Sequence, residues 1–196
     1  MSTMTLTTAA PAPAQERAVA ILLTAFAADP LIRWIYPDPA TYVTAFPEVL
    51  RRFGGEAFLA GTAAIADDHS GAALWLAPDA HIDYDPLVEH FQRTVDRGRV
   101  HIVLDLLGEM SEHHPTEPVW YLPFIGVDPA HQGRGVGSEL LAAGLARAHR
   151  DGLPAYLEAS TRRNRALYER HGFTVTGEVR VGDSPPLWPM LREARP

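Results

Sequence analysis

The chain of 196 residues has no cysteine, which excludes disulfides, thiolate nucleophiles and cysteine-held metals together. Lysine is missing too: all 17 basic residues are arginine. A phosphate-binding loop lysine, a Schiff-base lysine and a lysine general base are therefore unavailable within this chain. Basic charge is not in excess, the formal net charge being −7. Nucleic-acid binding normally needs a basic face, so no nucleic-acid partner is expected. Long apolar runs are scarce. Ala18 to Ala28 (AVAILLTAFAA) has the length of a signal-peptide core and ends on Ala-x-Ala, but only Arg17 precedes it, offset by Glu16. It is also too short to span a bilayer. The run reads as a buried helix, and a soluble cytoplasmic protein with no membrane partner is the expectation.

A chain of this length suits one domain, with residues 1–10 poorly ordered. Residues 3–8 suggest a short Thr-rich strand. A helix follows from about Ala14 to Ala28, with Val19, Leu22, Leu23 and Phe26 on one face, and Asp29-Pro30 stops it. Asp38-Pro39 opens a second helix, in which Pro47 predicts a kink or break. Two apolar runs flank Asp67-Asp68-His69-Ser70-Gly71, the pattern of a β-hairpin. Helical spacing resumes from Pro86 to about His113. VWYLPFIGV and AYLEA read as strands, TRRNRALYERHG as a helix ended by Gly172, and FTVTGEVRV with LWPML as a closing antiparallel pair. Strands in both halves, mostly joined by hairpins, with one strand–helix–strand unit, predict a mixed α/β (α+β) layer fold.

Between the VWYLPFIGV strand and its helix lies HQGRGVGSELL, with glycines at 133, 135 and 137. A helix N-terminus leaves amide N–H groups unpaired and carries partial positive charge, and glycine lets a ligand touch the backbone. The loop therefore predicts an anion site. One occupant is a dinucleotide: the strand–loop–helix–strand order fits, and Glu158 lies where a ribose-binding acid would sit. The register fits poorly, because the third glycine position falls on Ser138. That reading implies a nicotinamide-dependent oxidoreductase.

The other occupant follows from Gln132-Gly133-Arg134-Gly135-Val136-Gly137, which resembles the Gln/Arg-x-x-Gly-x-Gly/Ala signature of the GNAT N-acetyltransferase superfamily. NRALYERHGF resembles a second segment of the same superfamily. Residues 112–191 are similar in particular to its puromycin N-acetyltransferase-like branch, whereas the earlier part of the chain is only faintly so. The resemblance implies a GNAT-like single domain, with a twisted, mostly antiparallel mixed sheet and helices on both faces. It implies acetyl-CoA as acyl donor and no metal. Ile125, Gly126 and Val127 would then form a bulged strand edge that pairs with the pantetheine arm. Gln132, Gly133, Arg134, Gly135, Val136, Gly137 and Ser138 would hold the diphosphate, and Asn164 the cofactor arm. Tyr168 would be the general acid that protonates the departing sulfur.

The acceptor side is less legible. Glu158, a charged residue within AYLEAS, is a candidate base acting through water, or else a loop anchor. Glu109 belongs to a His101, Asp105, Glu109 row at four-residue spacing, which is the pattern of a solvated helix face as much as of a catalytic one. The superfamily builds its acceptor pocket from the region that here spans residues 30–118, where Trp34, Tyr36, Trp75, Tyr84 and Phe91 either line a cavity or fill the core. The expected activity is acetyl transfer to the amine of a small molecule by direct attack in a ternary complex. A non-catalytic acyl-CoA-binding or sensing domain is the alternative, and a homodimer is compatible with either.

Overall fold

The computed structural model describes residues 11–194; the strand expected over residues 3–8 lies outside them. The turn-rich cluster at 67–71 reverses the chain between β1 (Ala63–Ile65) and β2 (Gly71–Leu76), which pair antiparallel as the alternation predicts. β2 continues antiparallel onto β3 (Trp120–Val127). β3 runs parallel to β4 (Ala155–Ala159), and β4 pairs antiparallel with β6 (Trp188–Arg192). A two-residue β5 (Thr174–Val175) completes the order β1-β2-β3-β4-β6-β5. The fold is thus the mixed, mostly antiparallel sheet expected. It is not the doubly wound parallel sheet that a dinucleotide site requires.

Helices cover both faces because the strands alternate. On β2, Ala72, Leu74 and Leu76 face one core with α1 (Pro11–Ala25), α3 (Pro39–Gly54), α5 (Tyr84–Thr94) and α6 (Val100–His113). Ala73 and Trp75 face the other, with α7 (Val136–Asp151) and α8 (Arg162–Arg170). Gly144 on α7 is the contact that seats Trp75: a Cβ there would lie 2.0 Å from the indole.

β3 breaks its own alternation. Leu74 pairs with Phe124 but Leu76 pairs with Tyr121, so one extra residue is inserted at Leu122–Pro123. The bulge reverses parity: Tyr121 and Phe124 face the same core, while Leu122 and Ile125 face the opposite one. Proline suits the bulge because it has no N–H to leave unpaired. β3 pairs with β4 only at Trp120 and Tyr121, after which the two strands part. The edge at Ile125–Val127 is left open on that side, and it lines a cleft.

Some boundaries differ from the pattern-based expectation. The first helix ends at Ala25, and Asp29-Pro30 starts a second element rather than merely stopping the first. Asp29 accepts hydrogen bonds from the N–H groups of Leu31 and Ile32 and caps the short α2 (Pro30–Ile35). Pro47 sits inside α3 without ending it, and α4 (Glu56–Leu59) follows. The helical run at 86–113 is two helices, separated where Asp96 Oδ1 takes the N–H of Gly98. Among the described residues no helix is long and apolar enough to cross a membrane.

Candidate active site

The cleft beside the open edge of β3 has a volume of about 480 Å³. One wall is the backbone of Ile125, Gly126 and Val127; its end is the glycine loop and the first turn of α7. Gly133 (φ 78°) and Gly135 (φ 93°) adopt left-handed conformations, and a Cβ on either would meet no protein atom within 4 Å. These two glycines therefore keep space open rather than permit packing. Gly135 is the N-cap of α7 and no side chain caps that end. The first intrahelical bond runs from Glu139 N–H to Gly135 O, so the N–H groups of Val136, Gly137 and Ser138 are left for a ligand. An uncapped 16-residue helix behind a glycine-rich turn has the chemistry of an anion site. Gly126 is glycine for a different reason: a Cβ there would lie 2.6 Å from Ala25 Cβ, so it admits α1 against the strand.

The far wall of the cleft is α8. Thr161 caps it by accepting the Asn164 N–H, and Asn164, Leu167 and Tyr168 line the cleft from one helix face. Gln132 does more than border the loop. Its Nε2 donates to Val127 O at 3.2 Å and its Oε1 accepts from Arg163 at 2.9 Å, so it ties β3 to α8 across the opening. Arg134 is exposed and lies outside the lining.

A second, apolar pocket of about 100 Å³ adjoins the cleft between the sheet and α2, α5 and α6. Phe26, Asp29, Ile125, Asn164 and Tyr168 line both cavities and form their junction. Glu158 sits on the second pocket's floor and accepts a hydrogen bond from Tyr121 Oη at 2.9 Å. Its carboxyl is held up at about 7, chiefly by burial, against the lowering effect of the tyrosine hydroxyls. Tyr168 is 5 % exposed. Burial, with a contribution from the Asp29 charge, pushes its phenol well above the usual range, so it stays protonated. Asp29 is itself buried and raised; its second oxygen accepts from Ser160 Oγ.

The two adjoining cavities thus draw on Tyr168, Glu158, Asn164, the β3 edge and the glycine loop. They do not bring in Glu109, which is exposed on α6 with His101 and Asp105. Among the described residues no cluster of three metal-ligating side chains occurs. The residue missed was Asp29. An Asp-Pro pair after an apolar helix is an ordinary capping signal, and only the fold places it at the junction.

Comparison with known proteins identifies the family and the fold. The acetyltransferase (GNAT) family model matches residues 31–173. The chain is 26% identical over 200 residues to an uncharacterized N-acetyltransferase of Schizosaccharomyces pombe, a match covering 91% of this chain and 79% of that one. A solved structure described as histone acetyltransferase HPA2 and related acetyltransferase, from Corynebacterium glutamicum, superposes with a TM-score of 0.68 and 30% identity, covering 100% of this chain and 98% of that one. Arylalkylamine N-acetyltransferase 2 of Aedes aegypti shares the fold, with a TM-score of 0.63 and 14% identity over 94% of this chain and 96% of that one.

Proposed function

The chain belongs to the acetyltransferase (GNAT) family, and from that premise we propose that it transfers acetyl from acetyl-CoA to the amine of a small molecule in a ternary complex. The supporting observation is the junction: one cleft fit for a nucleotide diphosphate opens, past Asn164 and Tyr168, into one apolar pocket floored by a carboxylate. The side-chain-free turn at Gly133 and Gly135 and the open amides of α7 fit the diphosphate. The open edge of β3 fits an extended amide-bearing arm, which can add to it as a strand would. When bound, acetyl-CoA supplies an activated acetyl group.

The residues then divide the proton work. An amine arrives as an ammonium ion and must shed a proton before it can attack. Glu158, ionising near 7, is matched to accept that proton at neutral pH, and the apolar wall around it lowers the affinity of the amine for the same proton. Tyr168 holds a proton at Oη beside the cofactor cleft and gives it to the departing sulfur. Burial makes a phenol a weaker acid, but it raises the basicity of a thiolate in the same surroundings, so the transfer is not uphill by the full difference between the free groups. The attack is direct, and with no cysteine in the chain there is no thiol to carry an acyl group.

The test is release of free thiol from acetyl-CoA over a panel of amines: puromycin, aminoglycosides, polyamines, arylalkylamines and amino-acid amides. Calorimetric binding of acetyl-CoA is measured alongside. Turnover with any amine supports the proposal. Tight acetyl-CoA binding with no turnover refutes it in favour of a sensing domain.

A further inference from the structure

The pocket beside the cofactor cleft is built asymmetrically. Its polar side chains come from the sheet (Tyr121, Glu158), from Ser160 just beyond β4, from α8 (Asn164, Tyr168) and from Asp29 at the start of α2. The three helices that form the opposite wall contribute only apolar groups, among them Leu31, Ile35, Leu87, Phe91, Leu106 and Met110. The polar face of α6, with His101, Asp105 and Glu109, is turned to solvent. Both carboxylates of the lining are therefore spoken for. Asp29 is used by the two N–H groups of α2 and by Ser160, and Glu158 is reserved for the reacting amine. Nothing on the helical wall can accept a second cation.

Resting on the acyl-transfer reading above, we propose that the acceptor is a compact primary monoamine whose tail is apolar, aliphatic or aryl, and that diamines and guanidino amines are excluded. Size agrees with a compact tail: about 100 Å³ corresponds to roughly three waters at liquid density, and the pocket is continuous at its junction with the cofactor cleft. A distal ammonium in this pocket would be buried without a partner, so it must first become neutral. For an amine titrating near 10.4, the neutral fraction at pH 8 is only about one in 250, rising tenfold by pH 9. The titratable groups that line the pocket are Asp29, Tyr121, Glu158 and Tyr168; behind the lining Tyr156 on β4 and Tyr84 at the start of α5 also feel the Glu158 charge, and neither offers the tail a carboxylate.

The test uses matched acceptors of equal length, hexylamine and cadaverine, with phenylethylamine and agmatine as a second pair. Thiol release is followed at pH 8 and pH 9 with saturating acetyl-CoA. The expected kcat/KM ratio of monoamine to diamine is at least about 100 at pH 8, shrinking about tenfold at pH 9. Met110→Glu, which places a carboxylate on the half-buried end of the helical wall, is expected to shift the ratio toward the diamine by at least tenfold. Equal or better use of cadaverine or agmatine by the unaltered protein overturns the substrate class while leaving acyl transfer to amines standing. Failure of every amine to release thiol, while acetyl-CoA still binds, overturns both.

Discussion

Replacing Glu158 with Gln removes one ionisation and almost no volume, and its consequence can be worked out before any activity is measured. An exposed glutamate ionises near 4.5, whereas burial holds this one at about 7. Between those values the unfolded chain sheds the proton and the folded chain keeps it. A raised carboxyl therefore stabilises the fold at low pH and loses that contribution as pH rises, at about 1.4 kcal/mol per unit inside the window. Integrated from pH 5 to pH 8, the loss is roughly 2–3 kcal/mol. Glu158→Gln has no proton to lose there, and every other titrating group is common to both proteins. Urea denaturation at the two pH values should show the unaltered protein losing roughly 2–3 kcal/mol more than the variant, or about 4–12 °C in Tm for a chain of this size. The same variant should lose most of its acetyl transfer, and the unaltered enzyme should show an acid limb near pH 7, rising as the base ionises. If both proteins lose the same stability within about 0.5 kcal/mol, the carboxylate titrates as an exposed one and its assignment as base goes with it.

Tyr168→Phe should lower kcat by at least about tenfold while leaving the Kd for acetyl-CoA nearly unchanged, because only a proton donor is removed; undiminished turnover in a single-turnover assay would return Tyr168 to packing. Gly135→Ala should cost about 1–2 kcal/mol of stability from its left-handed backbone and weaken acetyl-CoA binding more than tenfold by placing a methyl group in the cradle. Unaltered affinity by calorimetry would refute the diphosphate site. Gly144→Ala should destabilise by about 2–3 kcal/mol or more, since its Cβ would overlap the fully buried Trp75 ring. A loss under about 0.5 kcal/mol would show that the ring has room to move.

What could be read from the sequence was whatever depends on neighbours along the chain. The glycine loop was legible because positive φ, an uncapped helix and a side-chain-free surface are all written in a few consecutive residues. Asn164 and Tyr168 were singled out by the resemblance of NRALYERHGF to a superfamily segment; their i, i+4 spacing adds only that they share one helix face. Pairing of β1 with β2 followed from the turn residues between them. The break between α5 and α6 was missed because Val95 and Val100 keep the apolar rhythm across it, and only Asp96 and Gly98 mark the turn.

The family resemblance implies a bulge in β3, but the residues themselves hardly show it, and the site depends on it. A single extra residue at Leu122–Pro123 turns Tyr121 and Phe124 toward the same side of the sheet, and Ile125 toward the other. In an unbroken strand the residues beyond Pro123 would each face the opposite way. Ile125 and Val127 would then point into the α1 core, and Phe124 would leave the aromatic cluster it shares with Phe26, Phe46 and Phe53. Alternation along VWYLPFIGV is too apolar on both faces to reveal the slip. The proline is the one local sign of it, and a proline read from sequence marks a boundary, not a reversal of faces. Acceptor chemistry was hidden for the same reason: Asp29, Glu158 and the α5–α6 wall lie far apart in sequence, and their convergence is a property of the sheet's splay.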